Sequence, residues 1–490
     1  MGPPLALGTA LQEAGAIVVA AVASIAVLAP MARTRSAATL ATLVLTPLLL
    51  IAEVWDTAQF RPFRDHPLIS IVGAAVAIGL LGLGAAALRR RPDVLPILVV
   101  AVLPFRVPIA SGGQTANLLV PLYLVIAAGA LAFLVPGLRA RGDARWEERR
   151  PPRIAVALMV FVGLYALQSL YTSDHTNAVN QLVFFYVPFA LLFELLAGVV
   201  WTRRLVTRCL VVLTGVSVAL ACVGLIEWKT RTLLLNPRVI DANTFVSYFR
   251  VNSLFFDPNI YGRYLAMVML GLAAALLWTR AQRVAIACAA ALAVLWAGLV
   301  VTFSQSSFAA LLLGLVVLAA VRWDPRRTLV VAGAAVVIAA VLVVAVGQHA
   351  LHLDLASSKS ANAATSGRLN LVKGGLRLWE DKPVLGWGSG GFAKDYRRKH
   401  SGSRERAASA SHTIPVTVAA EQGIPGFVAY VAVLVLAFAL LVRGARAGPW
   451  RAYLLAAFAA LVLHTMLYAA FLEDPATWAL LGAATALGDP

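Results

Sequence analysis

Apolar residues in this chain run in blocks of about 17–25, the length that crosses a hydrocarbon core. The blocks lie near residues 12–31, 37–54, 68–88, 93–110, 117–136, 154–171, 182–200, 207–228, 260–278, 284–303, 308–321, 328–347, 415–442 and 452–472, with a short last one at 475–487. One such block fits a buried helix. A dozen or more in series fit only a membrane bundle, because a helix satisfies its backbone polar groups internally. The pattern predicts an all-α fold, a polytopic transmembrane helical bundle of about 14–15 spans. Pro104 and Pro108 interrupt the fourth block, which is expected to bend or re-enter.

Basic residues stand at every second connection: Arg33 and Arg35, Arg89 to Arg91, Arg139 to Arg153, Arg203, Arg204 and Arg208, Arg280 and Arg283, Arg322 to Arg327, and Arg443 to Arg451. Cytoplasmic connections collect Arg and Lys. The alternation therefore places 55–67, 229–259, 304–307 and 348–414 outside, in a bacterial-type inner membrane. Two outer segments, 229–259 and 348–414, are long and themselves basic. Long ordered loops in compact proteins are usually functional. The expected organisation is a first bundle over 1–249, spans with chemistry-bearing outer segments over 250–347, an outer catalytic loop over 348–414, and closing spans over 415–490.

Composition adds two exclusions. The 490 residues are 60% hydrophobic and 13% charged, with a net charge of +18. On a soluble protein that charge would suggest nucleic acid. Here topology accounts for much of it, and the expected partners are membrane lipids. Cys209, Cys222 and Cys288 lie in or beside apolar blocks without CxxC spacing, so they read as small hydrophobes, not a disulfide or metal set. The first block lacks a basic leader and reads as a retained span.

Candidate chemistry gathers in the outer segments. Ser366–Trp379 reads SGRLNLVKGGLRLW. At ~100° per residue, Leu369, Val372, Leu376 and Trp379 share an arc, with Lys373, Arg377 and Asn370 opposite. This is an amphipathic helix along the membrane surface, with Lys373 and Arg377 solvated and Arg368 at the edge of the arc, turned toward protein. A glycine-rich turn follows, with Gly386, Gly388, Gly390 and Gly391. It suits close approach to a ligand, or simply a turn. His412 stands at the mouth of the next span, where Thr413 and Pro415 suit a helix start. Pro425 cannot donate to the Glu421 carbonyl, so that span should kink. Glu421 is an ionisable group near the membrane boundary, either functional or satisfying an outer Arg. Arg250, Asp257-Pro258-Asn259 and Arg263 mark the earlier outer segment. Three cations with one near-neutral base suit binding a diphosphate and moving one proton.

At these residues the chain resembles the O-antigen ligase and O-antigen polymerase family, also called the WaaL/Wzy type. The family's Arg-led amphipathic helix, D-x-P-x-x-G-x-G turn, and His followed by G-x-x-G are matched by Arg368, Asp381 to Gly388, and His412 with Gly423 to Gly426. Phe255 to Asn259 looks like its F-x-x-P-N segment, and Thr302 to Ser307 like its T-x-S-R segment. The resemblance covers roughly residues 250 to 480. Two positions depart from the pattern: Gln305 stands where an Arg is expected, and Thr413 where Asn, Ser or Gln is usual. The first leaves one phosphate-binding cation unassigned, with Arg250 or Arg263 as substitutes.

The resemblance implies a GT-C-like, metal-independent glycosyltransferase without a cofactor. Its donor would be a glycan on polyprenyl (undecaprenyl) diphosphate. Its acceptor would be a hydroxyl of a glycan, lipid or protein outside the membrane. His412 would be the base, or would only orient a substrate. Arg368 would hold the diphosphate, with Glu421 as a further catalytic candidate. Arg250, Arg263, Asn259, Gln305, Gly386, Gly388, Tyr396 and Gly423 are the candidate substrate contacts. No Walker-type motif points to ATP. An alternative, a transporter or flippase of lipid-linked saccharides, would call for paired repeats with broken helices, and none is visible. A scaffold protein would leave the basic outer loop unexplained.

Overall fold

The computed structural model describes residues 3–54, 61–111, 114–136, 150–236, 249–328, 368–399, 413–468 and 470–488, with residues 330 and 333. Helices α1 (Pro3–Leu28), α2 (Ala32–Val54), α3 (Pro67–Arg90) and α4 (Val94–Val102) come first. After a hairpin come α5 (Val120–Leu134), α6 (Arg153–Gln168), α7 (His175–Ala197), α8 (Arg203–Thr230), α9 (Pro258–Trp278), α10 (Gln282–Val300) and α11 (Gln305–Arg322). The outer helices α12 (Arg368–Asp381) and α13 (Phe392–Lys399) precede α14 (Ile414–Val442), α15 (Pro449–Leu467) and α16 (Pro475–Gly488). Among the described residues, eleven helices are long and apolar enough to cross a membrane. The expected span at 328–347 lies almost wholly outside the described residues.

The polytopic helical bundle is thus as expected, with one addition. The block at 93–110 is interrupted near Pro104, as its prolines led one to expect, and gives way to a hairpin. Its helix stops at Val102, and β1 (Val107–Ser111) pairs antiparallel with β2 (Gln114–Leu118), Val107 facing Leu118. Pro104 and Pro108 lack the N–H groups a helix would need. The hairpin lets the remaining backbone groups pair with each other.

Burial sorts the spans. In α7 and α9, 83% of the spanning window is enclosed by protein; in α3 only 6% is, so α3 turns its apolar side chains to lipid. One buried cluster joins α1, α6, α7, α14 and α16. A second joins α8, α9, α10, α11 and α15. Cys209 and Cys288 are buried as expected, but Cys222 is exposed on the lipid-facing side of α8.

Helix ends separate into two faces. On one, Ser36 donates to Leu134 O at 2.6 Å, Arg89 to Ala132 O at 3.0 Å and Arg208 to Asp93 at 3.0 Å. On the other, Arg250 meets Thr302, Arg263 meets Asp474 and Thr413 meets Met466. The Arg-rich ends therefore share a face, as an alternating topology requires.

The second face is expected outside. With Cys209, Cys222 and Cys288 replaced by Ala, a cysteine at Lys373 should react with an impermeant maleimide in intact cells, and one at Arg327 only after permeabilisation. The reverse pattern would invert the topology.

Candidate active site

A membrane helix that breaks must find new partners for the backbone groups it opens. Helix α14 breaks at Gly423, whose φ of 61° and ψ of −157° are not helical. Pro425, two residues on, has no N–H for the Glu421 carbonyl. The loop between α12 and α13 fills the gap. Gly388 N–H donates to Glu421 O at 2.8 Å and Trp387 N–H to Ala420 O at 3.0 Å, while Ile424 N–H donates back to Pro383 O at 3.0 Å. Helix and loop meet here backbone to backbone. A Cβ on Gly386 would strike the Glu421 carbonyl, and one on Gly423 the Val384 carbonyl. Both glycines also hold positive φ, 71° and 61°. Gly388 packs directly on the backbone of Thr172.

The Glu421 carboxylate completes this joint. It is buried, and its two oxygens accept from Gly390 N–H at 2.9 Å and Phe392 N–H at 3.0 Å. It holds the loop to the broken helix. Residues at the α6–α7 junction hold both parts from the other side: Tyr171 donates to Leu385 O at 2.6 Å and Asn177 to Gly390 O at 2.7 Å in the loop, and Gln168 to Gln422 O at 2.9 Å in α14. Asp395 is enclosed beside Ser173, and burial lifts its carboxyl above the ordinary range against the pull of Ser173 and Arg398.

Helix α12 lies against α14 by a second, protein-facing side. Its buried stripe is Leu371, Gly374, Gly375 and Leu378; Leu376, expected inside the apolar arc, is exposed. The helix has two apolar sides. Leu371, Gly374, Gly375 and Leu378 meet protein, because the two glycines leave room for the rings of Tyr396 and Phe392. The arc of Val372 and Leu376 beside it turns outward, with exposed Val384 and Leu385 nearby in sequence, as suits a surface helix in lipid. Lys373 and Arg377 are exposed as expected. Tyr396 is 3% exposed and stacks on Phe392, so it belongs to this small core. Arg368 begins the helix at the edge between the two apolar sides. His412 lies outside the described residues, immediately before Thr413, which donates to Met466 O at 3.1 Å.

The second group of candidates gathers around two Asp-Pro helix starts. Asp257 caps α9 through Asn259 N–H at 2.6 Å, and Asp474 caps α16 through Ala476 N–H at 2.8 Å. Each aspartate also reaches across. Tyr468 donates to Asp257 at 2.8 Å, and Arg263 pairs with Asp474 at 2.5 Å while donating to Ala470 O at 3.0 Å. Arg250 donates to Thr302 O at 2.9 Å through Nε and to Asn259 Oδ1 at 3.0 Å through Nη2, which fixes its plane. Asn259 thereby acts on Arg250, and its own carbonyl accepts from Ser307. Gln305 is exposed at the start of α11.

Beneath this group lies a cavity of about 160 Å³ between α4, α8, α9 and α16. Its walls are apolar, and Arg106, Arg263 and Asp474 stand at one end. Along α9 it runs from Ile260 to Gly271, about 16 Å of helix.

Three features escaped the sequence reading. Asp474 carried a signal, since Asp474-Pro475 repeats Asp257-Pro258. His464 carried none, a lone histidine in an apolar span. It is fully buried, with Nε2 at 3.2 Å from Ser306 Oγ and 3.3 Å from Ser307 Oγ. Arg106 stands over the Phe255 ring at 4.8 Å, far from Phe255 in sequence.

The joint yields a stability test. Glu421→Gln replaces one carboxylate oxygen by an amide that faces an N–H donor, which should cost about 1–3 kcal/mol. The variant should melt earlier in detergent and be cut faster by trypsin after Lys394. An unchanged melting curve and digestion rate would contradict the holding role.

Comparison with known proteins bears on the same segments. No curated protein sequence matches the chain. A family model described as O-antigen ligase matches residues 290–431, from α10 through the outer loop to the far side of the break in α14. The matched segment, which contains Gln305, Arg368, His412, Glu421 and Gly423, is thus similar to the O-antigen ligase domain.

Proposed function

We propose that the protein transfers a glycan from a polyprenyl diphosphate, of the undecaprenyl type, to a hydroxyl on the outer side of a bacterial inner membrane. The observation that carries this reading is the apolar cavity capped at one end by arginines. A polyprenyl diphosphate has that same division, a long apolar chain ending in concentrated negative charge. The O-antigen ligase domain supports glycan transfer as the chemistry.

The reaction forms one bond and breaks another. The acceptor oxygen attacks the anomeric carbon, and the bond from that carbon to the diphosphate oxygen breaks. The polyprenyl diphosphate leaves with the electron pair, and the acceptor proton passes to a base. His412 is our candidate for that base, since an imidazole suits neutral pH. Arg368 and Arg250 would stabilise charge on the leaving diphosphate. Arg250 is suited to this because Thr302 and Asn259 already fix its guanidinium, so little ordering remains when an anion arrives. Asn259 serves as its positioning residue. Arg263 holds Asp474 and so shapes the site from within the frame. Metal independence is part of the proposal, because guanidinium groups replace the divalent ion that many diphosphate-handling sites use.

Variants assayed for glycan transfer in lipid test these roles. Arg368→Lys should lose most activity, because a point charge does not replace a forked guanidinium, while Arg377→Lys should be nearly silent. Equal effects would refute the distinction between the two. His412→Ala should slow transfer about 10²–10⁴-fold if it is the base. His412→Gln can hydrogen-bond but cannot take a proton at neutral pH. Near-normal turnover in His412→Gln would make the residue an orienting group.

A further inference from the structure

We infer that Arg106, in the N-terminal half of the chain, is a diphosphate-binding residue of this site and supplies the cation that Gln305 does not. The inference rests on the donor reading above and names a residue that the matched segment, residues 290–431, does not contain.

Four observations place Arg106 there. It lines the apolar cavity at the end where Arg263 and Asp474 also stand. Its guanidinium lies over the Phe255 ring, 4.8 Å from the centroid. Phe255 is fully enclosed and stacks on Tyr261 at 5.5 Å, so the platform is rigid. The backbone also presents it deliberately. Helix α4 stops at Val102, and Pro104 and Pro108 keep the chain out of a helix until the hairpin begins at Val107. Arg106 falls in the short link between helix and hairpin.

The other nearby cations are more committed. Arg263 spends Nη2 on Asp474 and Nη1 on the Ala470 carbonyl. Arg250 spends Nε and Nη2 on Thr302 and Asn259. Among the described residues, Arg106 has one hydrogen bond, from Nη1 to the Pro104 carbonyl at 3.3 Å, besides its ring. With the guanidinium over the ring and Nη1 turned to the Pro104 carbonyl, Nε and Nη2 have no hydrogen bond among the described residues. That is a prepared fork for two phosphate oxygens. Meanwhile Gln305 is neutral and exposed at the start of α11. The nearby serines Ser306 and Ser307 are taken up by His464, so the T-x-S-x segment offers hydroxyls and an imidazole where a guanidinium is expected. A diphosphate needs positive charge at this end of the cavity beyond Arg263, which is already paired with Asp474. Arg106 stands over the F-x-x-P-N segment and can bring it.

The test uses purified full-length protein in nanodiscs with three probes that share one tail: farnesyl diphosphate, farnesyl monophosphate and farnesol. Affinities are read by displacement of a fluorescent prenyl probe. Wild type should rank diphosphate over monophosphate over farnesol. Arg106→Gln keeps a polar amide near the ring but removes the charge and the fork. It should weaken farnesyl diphosphate about ten- to hundredfold and leave farnesol binding unchanged, which doubles as the readout of intact folding. Arg327→Ala, an exposed arginine on the opposite face, should match wild type. Diphosphate binding in Arg106→Gln equal to wild type overturns the inference and leaves the donor reading standing. Wild type that does not distinguish farnesyl diphosphate from farnesol overturns both. If Arg106→Gln also loses farnesol, Arg106→Lys decides: diphosphate affinity several-fold below wild type supports the fork, and equality with wild type overturns it.

Discussion

A helix cannot be interrupted in a membrane unless something else takes up its open N–H and C=O groups. The joint between α14 and the loop that follows α12 depends on that constraint. Helix α14 breaks at Gly423, and the loop from Pro383 to Phe392 supplies the missing partners from its own backbone. The break is what gives the loop a fixed seat. With the loop seated, α12 must lie against the first turns of α14, where Gly375 faces Val416. The residue that opens α12 is Arg368, and the residue two before α14 is His412. The two glycine positions that touch, Gly386 and Gly423, are therefore structural conditions of the site before they are contacts of any ligand.

The second outer group rests on a different device. Two Asp-Pro pairs open α9 and α16, and each aspartate caps its helix with one oxygen while gripping a partner with the other. Removing one partner of a buried pair such as Arg263 and Asp474 costs about 3–5 kcal/mol, because the survivor stays charged and enclosed. The frame around Arg250 is built from such obligations: the Thr302 carbonyl, the Asn259 amide and the cap at Asp257 all lie within one connected network. This order around the aspartates contrasts with the apolar cavity beside it. Charge is concentrated at one level of the membrane and apolar surface below, the arrangement a lipid-linked diphosphate would need.

Much of this was legible in the sequence because the signals were local and periodic. Apolar block length marked the spans, and the alternation of arginines marked which ends share a face. Pro425 announced a kink, although the break itself falls at Gly423, where positive φ is cheapest. The surface arc of α12 was legible from its large side chains, but its second, protein-facing side was not: it runs through Gly374 and Gly375, whose lack of side chains admits Phe392 and Tyr396. Small residues signal close packing only when the partner is known. The block at 93–110 read as a span by hydropathy, interrupted by two prolines; its helix ends at Val102, and a link carrying Arg106 leads to a hairpin. The contact of Arg106 with Phe255 joins positions far apart in the chain, and nothing in either neighbourhood points to the other.

The central claim is that a lipid-linked diphosphate leaves as an acceptor hydroxyl attacks, with arginines and no metal carrying the charge. The most direct measurement follows both products at once in a reconstituted membrane. Purified protein in liposomes with a glycan-loaded undecaprenyl diphosphate and an acceptor glycan, in the presence of EDTA, should release one undecaprenyl diphosphate for each glycosidic bond formed. Release of undecaprenyl monophosphate, no transfer without a divalent metal, or movement of the intact donor across the bilayer without any new glycosidic bond would contradict the account.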